Sequence, residues 1–423
     1  MRRFVVMALL VVYPSLAAAQ TLASGNLENA PLSNVRVDFP PPSLRIGQFR
    51  TALRVRVHLD WRDFDPELGE DEFDFRRARI AVEGRVFDDL EYEVDADLRD
   101  VHADPGDEDQ PWRDVYLNYR RFRAAEIRAG RFKIPFGLEQ LTGIFSQNFV
   151  ERSLIGSDLS PGRDRGVMVH GRVAKDVVAY QTGIFRRDGD STRFAGVPVD
   201  KTWAGRVVVT PWENDRGILH SAQIGINATS GSLFEGLYGL RGRTLSEAVF
   251  FEPVYVEGRR TRLGVDGRWT PGSVLVQAEY IRVTDQRNGQ GLGDVDLPDA
   301  IAQGWYLTGT WVLTGENKSG GSVDPSRPFP TRGMGAVELA ARIEELKFSS
   351  KGNGDEPAFT NPRAANILPN RDRILTLGVN WYLNPFVRVT ANGTREDLLD
   401  PARTPIPGRT RFWGAVLRLQ FVM

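Results

Sequence analysis

The chain has 423 residues, a formal net charge of -1 and no cysteine. A near-neutral balance argues against a nucleic-acid binder, and the missing thiols exclude a disulfide framework, a thiol nucleophile and a thiolate metal site. No mature stretch reaches the ~18 consecutive apolar residues of a membrane-crossing helix, which leaves a crossing by alternating strands of about 9 to 11 residues.

Residues 1–19 read as a secretory signal peptide: Arg2 and Arg3 supply the charged start, Phe4 to Tyr13 the apolar run, and Ala17 to Ala19 a cleavage site. Residues 20–43 form an N-terminal segment too small to be a plug domain. From Leu44 the hydrophobic pattern takes a period of two. In LRIGQFRTALRVRVHLDW, Leu53, Val55, Val57 and Leu59 share one face, and Arg54, Arg56, His58 and Asp60 the other. In FRRARIAVEGRVF, Ala78, Ile80 and Val82 alternate with Arg77, Arg79, Glu83 and Arg85. An arginine at the midplane of a bilayer costs about 2 to 4 kcal/mol, so the polar faces must look at water.

The same alternation recurs from LEYEVDADL at Leu90 to FWGAVLRLQF at Phe412. It gives about sixteen strands, an even number, as closed outer-membrane barrels have. The expected fold is all-β, with residues 44–423 rolled into a transmembrane antiparallel barrel. Short links such as 88–89, 174–176, 270–272 and 384–386 alternate with long polar ones, the asymmetry of such barrels. One link breaks the rule: 314–332, rich in Gly, Ser and Pro, falls on the short-turn side as an insertion with no evident purpose. Trp61, Trp112, Trp203, Trp269, Trp381 and Trp413 sit near strand ends, where aromatic rings suit membrane interfaces.

The stretch from Arg131 to Arg165, RFKIPFGLEQLTGIFSQNFVERSLIGSDLSPGRDR, is too long for a turn and too apolar for a linker. Inside a wide barrel its expected place is the bore, as a constriction; the alternative is a surface loop with one helical turn. If it constricts the pore, Lys133, Arg152, Arg163 and Arg165 set its charge, with Glu139, Glu151 and Asp164 as neutralising partners. By strand parity Arg54, Arg56, Arg77, Arg79, Arg260 and Arg262 form a basic ladder in the lumen, joined by Arg85, Arg120, Arg128, Arg172, Arg268, Arg388 and Arg418. Such a ladder replaces part of an anion's hydration while letting go at each step. Asp60, Glu83, Asp114, Glu126, Asp266, Glu279 and Glu338 share those faces, so a charge-paired, merely water-filled lumen stays open as the alternative.

The stretches ARIAVEGRVFDDLEYEVDAD, DVYLNY, RAGRFKIPFGLEQLT, FVERSL, PGRDRGVMVHG and LTLGVNWYLNPFVRVTANGTRED resemble the phosphate-selective porins O and P of bacterial outer membranes. The resemblance runs from about Leu44 to the C-terminus and is most specific in GRFKIPFGLE, FVERSL and PGRDRGV. It implies a passive sixteen-stranded porin, a homotrimer, with the third long loop in the channel and basic groups along an anion path. The partners it implies are small anions such as phosphate, outer-membrane lipid and lipopolysaccharide, and no nucleic acid. The chain departs from the pattern at its end, where Phe421 is followed by Val422 and Met423.

No cofactor or metal is expected. His58, His102, His170 and His220 are scattered, and the acidic run Asp104 to Asp109 lacks the spacing of a calcium loop. No nucleophile elbow or phosphate-cradling loop occurs. The competing readings are a general diffusion porin, a non-conducting structural barrel, and a barrel enzyme, which would need a serine, a histidine and an orienting group converging on the lipid face.

Overall fold

The computed structural model describes residues 35–38, 42–65, 72–99, 111–189, 199–319, 322–352 and 354–423. The signal-peptide reading, most of the 20–43 segment and the acidic run Asp104 to Asp109 lie outside the described residues.

Sixteen long strands form the wall among the described residues. The first eight are β1 (Phe49–Phe64), β2 (Glu72–Val86), β3 (Leu90–Asp97), β4 (Trp112–Tyr119), β5 (Glu126–Lys133), β6 (Arg163–Val173), β7 (Val178–Phe185) and β8 (Val199–Val209). The second eight are β9 (Gln223–Gly236), β10 (Val256–Trp269), β11 (Val274–Arg287), β12 (Leu297–Val312), β13 (Ala336–Ser350), β14 (Asn370–Tyr382), β15 (Val387–Leu398) and β16 (Arg411–Val422). Each pairs antiparallel with its sequence neighbours, and β16 returns to β1 with Arg418 opposite Asp60 and Val422 opposite Arg56. Closure pairs each of the sixteen wall strands on both sides, which removes from the wall the free edges that template aggregation. Below the end of β16 the edge of β1 is taken by Ser43–Ile46, which pairs with Phe49–Ala52 and then with Val35–Asp38. The run beginning at Leu44 is therefore two strands, turned at Gly47, whose φ of 57° a residue with a Cβ rarely adopts.

Alternation places Leu375, Leu377 and Val379 outside, exposed, and Asp372, Thr376 and Asn380 inside, buried. A register shift between His58 and Leu59 inserts Arg76 as an extra residue in β2. This bulge lets Phe73 and Phe75 face out together with Ile80 and Val82. Links 134–162, 237–255 and 351–369 crowd one mouth, while 87–89, 174–177, 270–273 and 383–386 close the other, where links 210–222 and 313–335 are longer.

Toward the long-loop mouth β9 to β16 change character. Their inward positions there include a large apolar set, with Ile281, Val283, Leu346, Phe348, Ile374 and Phe412 in one core with Phe136, Leu154, Ile155 and Leu159 of 134–162 and Phe250, Phe251 and Val254 of 237–255. Phe348 meets Phe250 edge-on at 5.7 Å and stacks on Phe251 at 4.5 Å, each pair worth about 0.5 to 1.5 kcal/mol beyond its area. The outward positions of the same rungs are Arg282, Glu345, Lys347, Arg371 and Arg373. These strands have 12 to 16 residues, more than the roughly 9 to 11 a crossing needs. The surplus stands clear of hydrocarbon, so its outside is polar and its inside can pack.

Candidate functional site

Residues 134–162 link β5 to β6 through α1 (Leu138–Leu141), a 3-10 turn at Ile144–Ser146 and α2 (Leu154–Asp158). Helices this short do not persist alone, and the wall holds both. The amides of Leu138 and Glu139 donate to Glu279 of β11 at 2.9 and 3.2 Å, and Gly137 donates to Asn227 of β9 at 3.1 Å. A carboxylate at a helix start meets its unpaired N–H groups and its positive end. At the other end of α1, Lys133 Nζ donates to the carbonyls of Gln140, Leu141 and Thr142 at 2.7, 3.3 and 3.1 Å. Ser153 caps α2, its hydroxyl accepting from Gly156 at 3.2 Å. Glu139 accepts from the Ser153 amide at 2.9 Å and lies so close that a Cβ on Gly156 would sit 2.5 Å from Oε2.

Further anchors come from inward side chains of β13 to β16. Leu154 N–H donates to Glu344 at 2.5 Å and Val150 N–H to Asn392 at 2.7 Å. Asn380 donates to the Asn148 carbonyl at 2.9 Å, Gln420 to that of Phe145 at 3.0 Å, and Arg342 to that of Glu151 at 3.2 Å. Arg418 donates to the Val150 carbonyl at 2.8 Å while holding Asp60 with two 2.6 Å contacts. Three cations of the expected ladder, Arg268, Arg388 and Arg418, therefore serve the segment: Arg268 reaches Thr142 at 3.0 Å and Arg388 the Phe145 carbonyl at 3.3 Å.

Opposite these anchors, β1 to β6 line a cavity of about 510 Å³. Arg54, Arg56, Arg77, Arg79 and Arg128 project into it from the wall, with Lys133, Arg152 and Arg163 beside the segment, against Glu93, Asp95 and Asp114. Arg54 pairs with Glu83, Arg56 lies 3.5 Å from Asp95, and Arg79 donates to Asp97 at 3.0 Å. Arg163 holds Asp114 through contacts of 3.0 and 2.6 Å. Nη1 of Arg77, Nε of Arg128 and Nε of Arg152 are buried with no acceptor among the described residues. A buried donor left unmet costs about 1 to 3 kcal/mol, so these nitrogens suit a hydrated or anionic occupant. The ring of Phe145 packs on His58 at 4.2 Å, with the Arg56 and Arg79 guanidinium carbons 5.5 and 6.0 Å from its centre. A second cavity of about 750 Å³ contacts Leu141, Gly143 and Ser146, as the first does, and reaches Arg120 and Arg123 at the short-turn mouth.

Three of the expected basic residues lie elsewhere. Arg260 and Arg262 face inward but are sealed against the apolar core: Asp188 pairs with both, at 3.0 Å from Arg260. Arg260 also meets Asp285 at 2.7 Å, and Arg262 donates to the Leu159 carbonyl at 2.8 Å. Arg165 is exposed on the outward face of β6 with Val167, apart from Lys133, Arg152 and Arg163. Burial opposes the charge of Asp188, yet Arg262 and Arg260 outweigh it and hold the carboxyl below its ordinary range. Glu93, Asp95 and Asp114 bring carboxylate oxygens within 4.8 Å of one another, a spacing a metal ion accepts. Arg56 and Arg163 already supply the counter-charge there. His58 and His170 are bonded to Gln420 and Asn118 at 3.0 and 2.8 Å.

Comparison with known sequences decides what the barrel is. The family described as phosphate-selective porin O and P matches residues 51–422. The chain belongs to that family. It is an outer-membrane porin of a bacterium. Porin O of Pseudomonas aeruginosa is 23% identical over 379 residues, 81% of this chain and 82% of that protein. An uncharacterized Aquifex aeolicus protein is 21% identical over 79% of this chain and 78% of its own length. Among solved structures, OmpT of Vibrio cholerae superimposes on the porin with a TM-score of 0.56 at 12% identity, covering 90% of this chain and all of its own. An anion-selective porin of Comamonas acidovorans gives 0.53 at 10% identity, covering 89% of this chain and all of its own. These likenesses carry the fold.

Proposed function

We propose that this porin passes small anions, phosphate among them, by passive diffusion along the basic side of its bore, with residues 134–162 as the constriction. One observation carries the reading. The cavity beside β1 to β6 sets eight cations against three carboxylates, and three of its arginine nitrogens are buried with no acceptor among the described residues. Charge biases permeation where the bore is narrow, and low-dielectric walls focus its field. The opposite wall is occupied by anchors for the segment, so the water path and the basic wall coincide.

In this reading Lys133, Arg152 and Arg163 border the narrowest stretch, and Arg54, Arg56, Arg77 and Arg79 continue the track along β1 and β2. Arg260 and Arg262 act as structural clamps, and Arg165 faces the surroundings of the barrel. Membership of a family of phosphate-selective porins and the likeness to the anion-selective porin of Comamonas acidovorans support the ion preference. The trimer form of Vibrio cholerae OmpT, at a TM-score of 0.54, supports a homotrimer. The exposed apolar wall suits outer-membrane lipid.

Single-channel recording in chloride with phosphate added stepwise tests the assignment. Phosphate is expected to interrupt the chloride current in a dose-dependent way by dwelling at Arg77 and Arg152. A current that treats phosphate as it treats chloride reduces the protein to a general diffusion pore. A membrane that stays silent reduces it to a structural barrel.

A further inference from the structure

Link 313–335 is the longest of the links at its mouth, where the next longest is 210–222, and the anion path does not account for it. Its two short strands, Lys318–Ser319 and Ser322–Val323, pair with each other. Val323 is buried with Val312, Ala336 and Tyr382. The Lys318 amide donates to the Gly272 carbonyl of the neighbouring turn at 2.9 Å, and Trp381 donates to the Met334 carbonyl at 2.6 Å. The link is thus fastened to the barrel rim on both flanks. From it the Lys318 side chain, 4% exposed, runs inward among the inward-facing residues of β12 to β14.

There Lys318 Nζ donates to Asn148 Oδ1 at 2.7 Å, to Thr310 Oγ1 at 3.1 Å, and to Glu338. Asn148 belongs to residues 134–162, and its carbonyl accepts from Asn380, which also donates to Glu338 at 3.1 Å. Tyr382 donates to Glu338 at 2.9 Å. The ammonium is the one group in this network that reaches the segment from outside the barrel strands.

We propose that link 313–335 is a strut: it delivers Lys318 into the bore from the short-turn mouth, where the ammonium fixes the constriction through Asn148. Lys318 is a positioning residue of the channel, and it also neutralises Glu338, which otherwise adds a negative charge to the bore. The inference rests on residues 134–162 being the constriction.

Two substitutions separate the roles. Lys318→Met removes the strut and frees the Glu338 charge; the double variant Lys318→Met/Glu338→Gln removes the strut alone. Both are expected to spend about tenfold more time in sub-conductance states, the factor that one charged hydrogen bond supplies. Only the single variant shifts the reversal potential toward cations. In the full-length protein in lipid, Lys318→Cys/Asn148→Cys, the only thiols present, is expected to join through a short bifunctional thiol reagent. Steady openings in both methionine variants, or no cross-link although each cysteine reacts singly, would overturn the strut. A failure of the constriction reading looks different: Arg152→Glu then leaves the ion preference unchanged, whatever Lys318 does.

Discussion

Replacing Arg54, Arg77 and Arg152 together by glutamate is expected to turn the proposed anion preference of the channel into a cation preference. The cavity beside β1 to β6 then holds five cations and six carboxylates, where the natural chain has eight and three. A unit charge about 6 Å from a passing ion in water contributes roughly 0.7 kcal/mol, so three reversals sum to about 4 kcal/mol. Screening at physiological salt, with a Debye length of about 8 Å, cuts this to about 2 kcal/mol for each ion, roughly thirty-fold against anions and roughly thirty-fold in favour of cations. All three residues are chosen because their side chains do not carry a wall strand's main anchor to 134–162. Arg388 and Arg418 do carry such anchors, and charge reversal there would mix selectivity with loss of the segment. Bi-ionic potentials for the triple variant against the natural protein measure the effect. An unchanged preference would place the ion path elsewhere.

The second large effect concerns stability. Asp188 is shared by Arg260 and Arg262, and Arg262 in turn holds the carbonyl of Leu159 at the end of α2. Asp188→Ala removes a carboxylate from two buried guanidinium groups, a loss of about 3 to 5 kcal/mol. Earlier loss of the compact band on heating, seen on unboiled gels, is the readout. Acid has the same direction of effect. The folded carboxyl titrates below its unfolded value of about 3.9, so its contribution is complete above that pH and falls away as pH drops through the lower folded value. Resistance of Asp188→Ala to heat equal to that of the natural protein would mean that Asp285 and the apolar core hold Arg260 and Arg262 without it.

The barrel was legible because lipid and water impose opposite demands on alternate residues, and that demand is written into nearly every strand. Lys133, Arg152 and Arg163 were legible as a group from the length and composition of one interruption. What parity could not show was the partner. Arg260 and Arg262 face inward as expected, yet Asp188 lies 72 and 74 residues away in sequence, and nothing local announces the pairing. Arg163 and Arg165 share a parity, but only the first, where the chain leaves the segment, reaches Asp114; two residues on, the strand is regular and Arg165 points out beside Val167. The upper part of β11, β13 and β14 misleads a period-two reading because the sense of the alternation inverts above the hydrocarbon: Ile281 and Leu346 are inside, Arg282 and Lys347 outside. Arg342, which holds Glu139 at 3.3 Å, could have been found, since it shares a face with Glu338. Lys318 could not, because its role depends on a turn re-entering the barrel.

Water and anions are expected to share one basic wall of the closed barrel. The most direct measurement is the reversal potential of the natural protein in a planar bilayer between unequal concentrations of potassium chloride. The account predicts a potential displaced toward that of chloride, and more strongly at low salt, where screening is weak. A potential near that of potassium, or near zero at every salt concentration, would contradict it.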